Sequence, residues 1–257
     1  MDKRDLIGFT DTPDLDYKWL SEAAKGDGNL LDTFIKRRQA KEPVAKIIGL
    51  KGFWTLDLMV SNQTLDPRPD SETIISAVLK NYPDKNAALR ILDLGTGSGC
   101  LLLALLDEYK NATGIGMDAS MSALQIAQKN VDKYAPTRAK LICRNWDMND
   151  WWKDLGGFDI VVCNPPYIPT EDIQKLDKDV KDFDPIQALD GGQDGLDEYR
   201  SLSTTILEVL KQNGTIFFEI GQGQENDVIR IMQTQKMRLI ETYKDFGGIL
   251  RVLSFSR

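Results

Sequence analysis

Apolar and polar positions change rhythm along this chain. In "FWTLDLMV", Phe53 to Val60, the residues Leu56, Leu58 and Val60 alternate with Thr55, Asp57 and Met59. That is the period-two pattern of a half-buried strand. After "NYPDKNAA", short apolar runs alternate with longer stretches of helical spacing. "LRILDLG", "ATGIGMD", "AKLICRNW", "FDIVVCN" and "GTIFFEIG" read as strands, whereas "GCLLLALLDEY", "SALQIAQKNVDKY", "YRSLSTTILEVLKQN" and "ENDVIRIMQTQ" read as helices. The alternation predicts an α/β fold with a mostly parallel sheet covered by helices on both faces. Two closing strands, "RLIETYKDF" and "ILRVLSFSR", are joined at Gly247-Gly248. That link is too tight for a crossover, so the pair is expected to be antiparallel.

The first 50 residues are polar and charge-rich. "WLSEAAKGDGNLLDTFIKRRQ" predicts two short helices broken at Gly26 and Gly28, and "KRRQAKE" reads as a solvated helix end. "DPRPDSE" predicts a proline-punctuated turn in which Ser71 or Asp70 caps a helix starting near Glu72. Three regions follow: 1–50, helical; 51–72, a linker; and 73–257, the α/β domain.

Composition removes several chemistries. There is no histidine, so histidine general bases, Ser-His triads and histidine metal sites are excluded. Cys100, Cys143 and Cys163 are odd in number and scattered, which argues against a disulfide framework or zinc site and fits a reducing cytoplasm. The N-terminus has no apolar core, and "CLLLALL" is too short to span a bilayer. A net charge of −7 makes a long polyanion an unnatural partner.

Two loops carry candidate chemistry. In "LDLGTGSG", between a strand and a helix, Gly95, Gly97 and Gly99 let the backbone turn sharply and approach a ligand. Asp118 ends the next strand, where an acid reaches ribose hydroxyls in nucleotide-binding α/β folds. Asp93, ahead of the first glycine, would repel a pyrophosphate but attract a cationic ligand. S-adenosylmethionine carries a sulfonium and an ammonium and no phosphate, so it is the expected cofactor. In "RNWD", Asn145 can hydrogen-bond an adenine edge and Trp146 can cover the ring, although core packing also explains a lone tryptophan.

The second loop is "FDIVVCNPPYIPT", an apolar strand running into Asn164-Pro165-Pro166-Tyr167. An amide or aniline-type nitrogen has its lone pair delocalised and must pyramidalise to attack a sulfonium methyl. Two acceptors against its N–H groups favour that change. The Asn164 side chain and the Pro165 main chain each offer a carbonyl, the prolines stiffen the turn, and Tyr167 offers a stacking face. Positioning and matched acceptors are then the main catalytic terms, and no titrating base is needed beforehand.

At this point the chain resembles the bacterial release factor glutamine methyltransferases. The resemblance runs from about Glu42 to the C-terminus. "EPVAKIIGLKGFWTLDLMV" looks like the family's linker and β-hairpin, which makes 51–72 a β-hairpin linker with the "PRPDSE" element. The likeness continues through NPPY, "DFDPIQALDGGQDGLDEYR", "FFEIGQGQ" and "YKDFGGILRV". It implies a Rossmann-like class I methyltransferase: a seven-stranded, mostly parallel sheet with an antiparallel C-terminal hairpin and a small N-terminal helical region that docks the partner. The implied activity is N5-methylation of the glutamine in the Gly-Gly-Gln loop of peptide chain release factors.

By this resemblance Gly95, Thr96, Gly97, Ser98 and Gly99 would line the methionine part of the cofactor. Asp118 would hold the ribose, and Asn145 with Trp146 the adenine. Asn164, Pro165, Pro166 and Tyr167 would hold the substrate amide, with Asn164 also facing the cofactor. Arg68 and Glu72 would help wall the pocket or form a structural ion pair, and Glu219 and Arg251 would form a structural pair. Asp66, Asn145 and a short N-terminal region depart from the family pattern. Gly191-Gly192-Gln193 repeats the substrate tripeptide and reads as a loop turn. No metal, membrane or direct nucleic acid is expected, and a monomer is the default.

Two rival readings remain. Other NPPY enzymes methylate adenine N6 or guanine N2 in nucleic acid; they need a basic tract and an added recognition domain. A catalytically silent binding module would have lost Gly97, Asp118 or Asn164, and all three are present.

Overall fold

The computed structural model describes all residues, Met1–Arg257. Helices α1 (Pro13–Ala24), α2 (Gly28–Gln39) and α3 (Val44–Ile48) form the N-terminal region. Lys25 and Gly26 take positive φ between the first two, and Asp27 caps α2 by accepting from Asn29 and Leu30. Leu6, Leu20, Ile35 and Ile47 close a small core of their own. Arg38 does not belong to a solvated helix end: its guanidinium is largely buried, 2.7 Å from Asp16.

Strands β1 (Leu50–Phe53) and β2 (Leu56–Met59) form an antiparallel hairpin. The hairpin is the one the family resemblance implies, whereas the single strand read over 53–60 is divided: Phe53 ends β1 and only Leu56–Met59 form β2. The chain reverses at Trp54, whose φ is +54°, and Glu72 accepts the Trp54 N–H at 2.8 Å. Leu56 and Leu58 point into the main core while Asp57 and Met59 stay exposed.

Helix α4 (Glu72–Asn81) leads to β3 (Arg90–Leu94), α5 (Cys100–Glu108), β4 (Thr113–Asp118), α6 (Met121–Tyr134), β5 (Ala139–Cys143) and β6 (Phe158–Cys163). Neither Ser71 nor Asp70 caps α4 as expected. A 3-10 turn, Pro69–Ser71, starts the helix instead, and the Ser71 hydroxyl is used elsewhere. The stretch after β6 holds α7 (Lys178–Lys181), α8 (Asp197–Ser203) and α9 (Ile206–Val209). The one helix expected over 199–213 is broken between α8 and α9, where Thr204 turns its hydroxyl back to the Ser201 carbonyl. Its last residues already belong to β7 (Leu210–Glu219). The chain ends with α10 (Glu225–Thr234), β8 (Arg238–Lys244) and β9 (Leu250–Ser256).

The main sheet has the order β5-β4-β3-β6-β7-β9-β8. All pairings are parallel except β7–β9 and β8–β9, so the closing hairpin is antiparallel as expected. One face packs on α4, α5, α6 and the β1–β2 hairpin, around Ile74, Leu102 and Val131. The other packs on α8, α9 and α10, around Tyr199, Ile206 and Val228. The chain runs β3-β4-β5 in one direction and then returns to place β6 on the other side of β3. Ligands of open α/β sheets bind at such a switch point, beyond the strands' carboxyl ends. The loops after β3 and β6 are the glycine loop and Asn164–Tyr167.

Candidate functional site

Gly95, Gly97 and Gly99 all adopt positive φ, and the amides of Gly95 and Thr96 both donate to the Met117 carbonyl. A Cβ on Gly95 would lie 3.5 Å from the Trp146 ring, an ordinary contact, so it is the φ of +72° that calls for glycine there. The Gly97 N–H donates to one Asp118 oxygen and the Ser120 N–H to the other, each at 2.8 Å. Burial raises the Asp118 pKa while these two amides hold it back. A carboxylate offers about four acceptor positions, so both oxygens retain capacity for ligand hydroxyls.

These groups open on a cavity of about 660 Å³ lined by Gly95, Gly97, Asp118, Asn145, Trp146 and Asn164. Thr96, Ser98 and Gly99 are not among its walls. They shape the loop from behind: Thr96 donates to buried Asp93 at 2.6 Å, and the Ser98 carbonyl accepts from Asn130. Asn130 also exchanges two hydrogen bonds with the Met59 backbone, so α6 ties the hairpin to the glycine loop. Asn145 turns its side-chain oxygen to the Asp147 N–H, leaving its amide group free.

The charge of this cavity is one-sided. Asp118, Asp147, Asp190, Asp197 and Glu198 line it, and no lysine or arginine does. A pyrophosphate would be repelled, whereas a sulfonium with an α-ammonium is attracted. The residues present therefore fit S-adenosylmethionine. Glu198 was missed in the sequence. It accepts the Trp146 indole N–H at 2.6 Å, and burial raises its pKa. The available signal was the acid-rich start of α8, beyond the long segment that follows NPPY.

A second cavity, about 280 Å³, lies against the first and is lined by Leu65, Arg68, Asn164, Tyr167, Ile168 and Glu219. Asn164 walls both. Its Nδ2 donates to Ser71 Oγ at 3.1 Å, and its Oδ1 accepts no hydrogen bond. The buried Pro165 is absent from both linings, but its carbonyl also accepts none within the chain. Pro166 lines the larger cavity. Tyr167 reaches Glu219 at 3.5 Å, and burial, with Glu219 beside it, pushes the phenol up.

Other predicted residues fall differently. Arg68 lines the smaller cavity and is anchored to Asp184 at 2.6 Å. Glu72 is in neither lining and serves the hairpin turn. Glu219 and Arg251 form no ion pair: Arg251 bonds Asp70 and Asp245, each at 3.1 Å. Glu219 instead faces the cavity, 1% exposed, with Oε2 unpartnered. Burial pushes its pKa to about 7 against the Ser71 hydroxyl and the Arg251 charge. Asp66 is buried 3.3 Å from Lys46. Gly191-Gly192-Gln193 is a loop turn packed on the NPPY backbone. A Cβ on Gly191 would sit 2.8 Å from the Pro166 carbonyl, and the Gly191 N–H donates to Ile168.

Residues 53–179 match the Methyltransferase small domain family. A methyltransferase from Pyrococcus furiosus superposes with a TM-score of 0.57 at 16% identity, over 87% of this chain and 96% of that one. The hMettl16 catalytic domain gives 0.63 at 15% identity, over 79% and 76%. Fold and site together define a class I, Rossmann-like methyltransferase. Among curated relatives, the release factor glutamine methyltransferase of Agrobacterium fabrum is 41% identical over 98% of this chain and 87% of its own length. That of Caulobacter vibrioides is 44% identical over 87% and 76%. The chain belongs to the release factor glutamine methyltransferase family.

Proposed function

We propose that this protein methylates the side-chain amide nitrogen of the glutamine in the Gly-Gly-Gln loop of peptide chain release factors, with S-adenosylmethionine as donor. The observation that carries the reading is the position of Asn164, which lines both an acidic nucleotide-sized cavity and a smaller pocket and whose side-chain carbonyl accepts no hydrogen bond. When bound, S-adenosylmethionine supplies an electrophilic methyl group on a cationic sulfonium.

The chain's own residues then do the positioning. Asp118 takes the ribose hydroxyls, Trp146 and the Asn145 amide take the adenine, and the acidic wall attracts the cationic end. Gly95 and Gly97 let the loop backbone come close, with Thr96, Ser98 and Gly99 holding its shape. Asn164 Oδ1 and the Pro165 carbonyl accept the two N–H groups of the substrate amide, drawing its lone pair back onto nitrogen. Tyr167 stacks on the flat group, while Pro166 and Arg68 complete the walls. Fixed acceptors of this kind cost no reorganisation at the moment of reaction. We also assign residues 1–50 to partner docking, 51–72 to a linker and 73–257 to catalysis. No helix is long and apolar enough to cross a membrane.

The test is methyl transfer from labelled S-adenosylmethionine to an unmethylated release factor, beside a Gln→Ala version of its Gly-Gly-Gln loop and duplex DNA. Label on the intact factor alone supports the reading. Label on DNA supports nucleic-acid methylation, and binding of the donor without transfer supports a silent module.

A further inference from the structure

Asn164 can accept a substrate N–H only if its oxygen, not its nitrogen, faces the pocket. The two ends of a carboxamide are nearly equal in size, so hydrogen bonding must set which way it points. Here Nδ2 is turned away from the pocket to Ser71 Oγ, 93 residues earlier in the chain. A hydroxyl has one proton, and Ser71 accepts from Asn164 while that proton is directed elsewhere. The group that takes it must be an acceptor.

Glu219 fits that requirement. It ends β7, beside β6 from which Asn164 emerges, and it lines the same small cavity. Its Oε1 receives the Tyr167 hydroxyl at 3.5 Å, and its buried Oε2 has no hydrogen-bond partner. Among its surroundings the Ser71 hydroxyl is the group that most favours the ionised form. Nothing in the mechanism above gives this buried carboxyl a task.

We infer that Glu219 and Ser71 form a directional relay: Glu219 takes the Ser71 proton, Ser71 takes the Asn164 N–H, and Asn164 Oδ1 is thereby turned towards the substrate amide. Glu219 is a positioning residue for the methyl transfer, and the inference rests on the function proposed above. An un-ionised or amide side chain at 219 can donate to Ser71, whose proton then points at Asn164 and favours the flipped carboxamide.

The relay requires ionised Glu219, so activity rises as pH passes through about 7. Around Glu219, Tyr167, Tyr199, Cys100 and Cys163 are all pushed up by burial and stay neutral there. Arg251 stays charged; it favours the carboxylate while Asp70 opposes it. Asp93 also titrates near 7 but bonds Thr96 and the Leu102 amide in the glycine loop. Only loss of the pH step on changing Glu219 assigns that step to the relay.

The experiment compares kcat and KM for the release factor across that pH range in wild type, Glu219→Gln, Ser71→Ala, Ser71→Thr and the Glu219→Gln/Ser71→Ala double variant. Glu219→Gln is expected to lower kcat on the order of 10²-fold, the cost of one misplaced hydrogen-bond partner, and to flatten the pH step. KM for factor and donor should change little, because the loss is in the transition state. The double variant should be no worse than its weaker parent, as for groups acting through one another. Ser71→Thr, which keeps the hydroxyl, should restore activity. If Glu219→Gln does not fold, Ser71→Ala and its rescue by threonine carry the test. Wild-type kcat with an intact pH step in Glu219→Gln, multiplicative losses, or no loss in Ser71→Ala would overturn the relay. A wild type that transfers nothing to the factor would remove the functional reading and the relay with it.

Discussion

The Lys46 ammonium lies 2.8 Å from Asp184, and the lysine side chain is entirely buried. This contact joins α3 of the N-terminal region to the segment that follows NPPY. Lys46 also bonds the carbonyls of Ser61 and Thr64 at 2.9 and 2.6 Å and stands 3.3 Å from Asp66. Its ammonium therefore has its donors taken within the fold. Asp184 continues the network to Arg68 in the pocket wall.

Replacing Lys46 with Met should destabilise the protein by about 3–5 kcal/mol, because buried Asp66 loses its cation and buried Asp184 is left with Arg68 alone. Asp66→Leu should cost much less: Asp184 would still balance Lys46, and burial already disfavours the Asp66 charge. Urea titrations of both variants and of the double variant check this. The double variant should be less damaged than the sum of the singles. Equal losses for Lys46→Met and Asp66→Leu would contradict the assignment.

Trp146 and Glu198, 52 residues apart, share a hydrogen bond that holds the indole over Gly95. Trp146→Phe keeps an aromatic face but leaves Glu198 without its donor. Glu198 is only half-buried, so leaving it unpaired costs about 1 kcal/mol, the low end for such an acceptor, which corresponds to weaker donor binding by roughly 5-fold if all of it falls on the bound state. Calorimetric titration with S-adenosylmethionine measures the change. Wild-type affinity in Trp146→Phe would mean that the indole N–H has no part in shaping the cavity.

Asn164→Ala removes one of two acceptors for the substrate amide. Its kcat should fall on the order of 10²–10³-fold, the usual cost of one such contact. Binding of the donor should fall far less, since Asp118 and the glycine loop are untouched. Single-turnover transfer and equilibrium binding separate the two effects.

Asp93 and Glu219 each have a pKa raised by burial to about 7, from ordinary values of 3.8 and 4.5. Their carboxyls are protonated in the folded protein at pH values where the unfolded chain has already released the proton. Stability from this source is complete below the ordinary values and is lost as pH rises to about 7. Asp66, Asp118 and Glu198 shift in the same direction. The surface carboxylates lowered by ion pairs, such as Asp107 and Asp154, act below this window. Urea midpoints of the ligand-free protein should therefore fall between about pH 5 and pH 7, and Glu219→Gln should reduce that fall. A midpoint that climbs over this range would contradict the assignment.

The sequence was most legible where signals are local. The alternation of strands and helices, the tight Gly247-Gly248 link, the glycine loop and NPPY all announce themselves within a few residues, and the sheet assembles as they imply. What escaped was set by distant partners. Ser71 looks like a helix cap until Asn164 is seen to use it, and Glu72 resembles a pocket residue until the hairpin turn claims it. Arg251 was matched with Glu219 by strand adjacency. The β9 register pairs Glu219 with Val252, and loop acids at Asp70 and Asp245 reach the arginine instead. Lys46 carried no pattern at all, because a buried lysine is recognisable only once its carboxylates are placed around it.

Glutamine methylation is tested most directly by where the methyl group goes. An unmethylated release factor, incubated with the protein and labelled S-adenosylmethionine, is digested and its Gly-Gly-Gln peptide mapped by mass spectrometry. One added methyl is expected on the glutamine side-chain amide, absent with Asn164→Ala on the same time scale. A methyl on any other residue, or a modified peptide that forms as fast with Asn164→Ala, would contradict it.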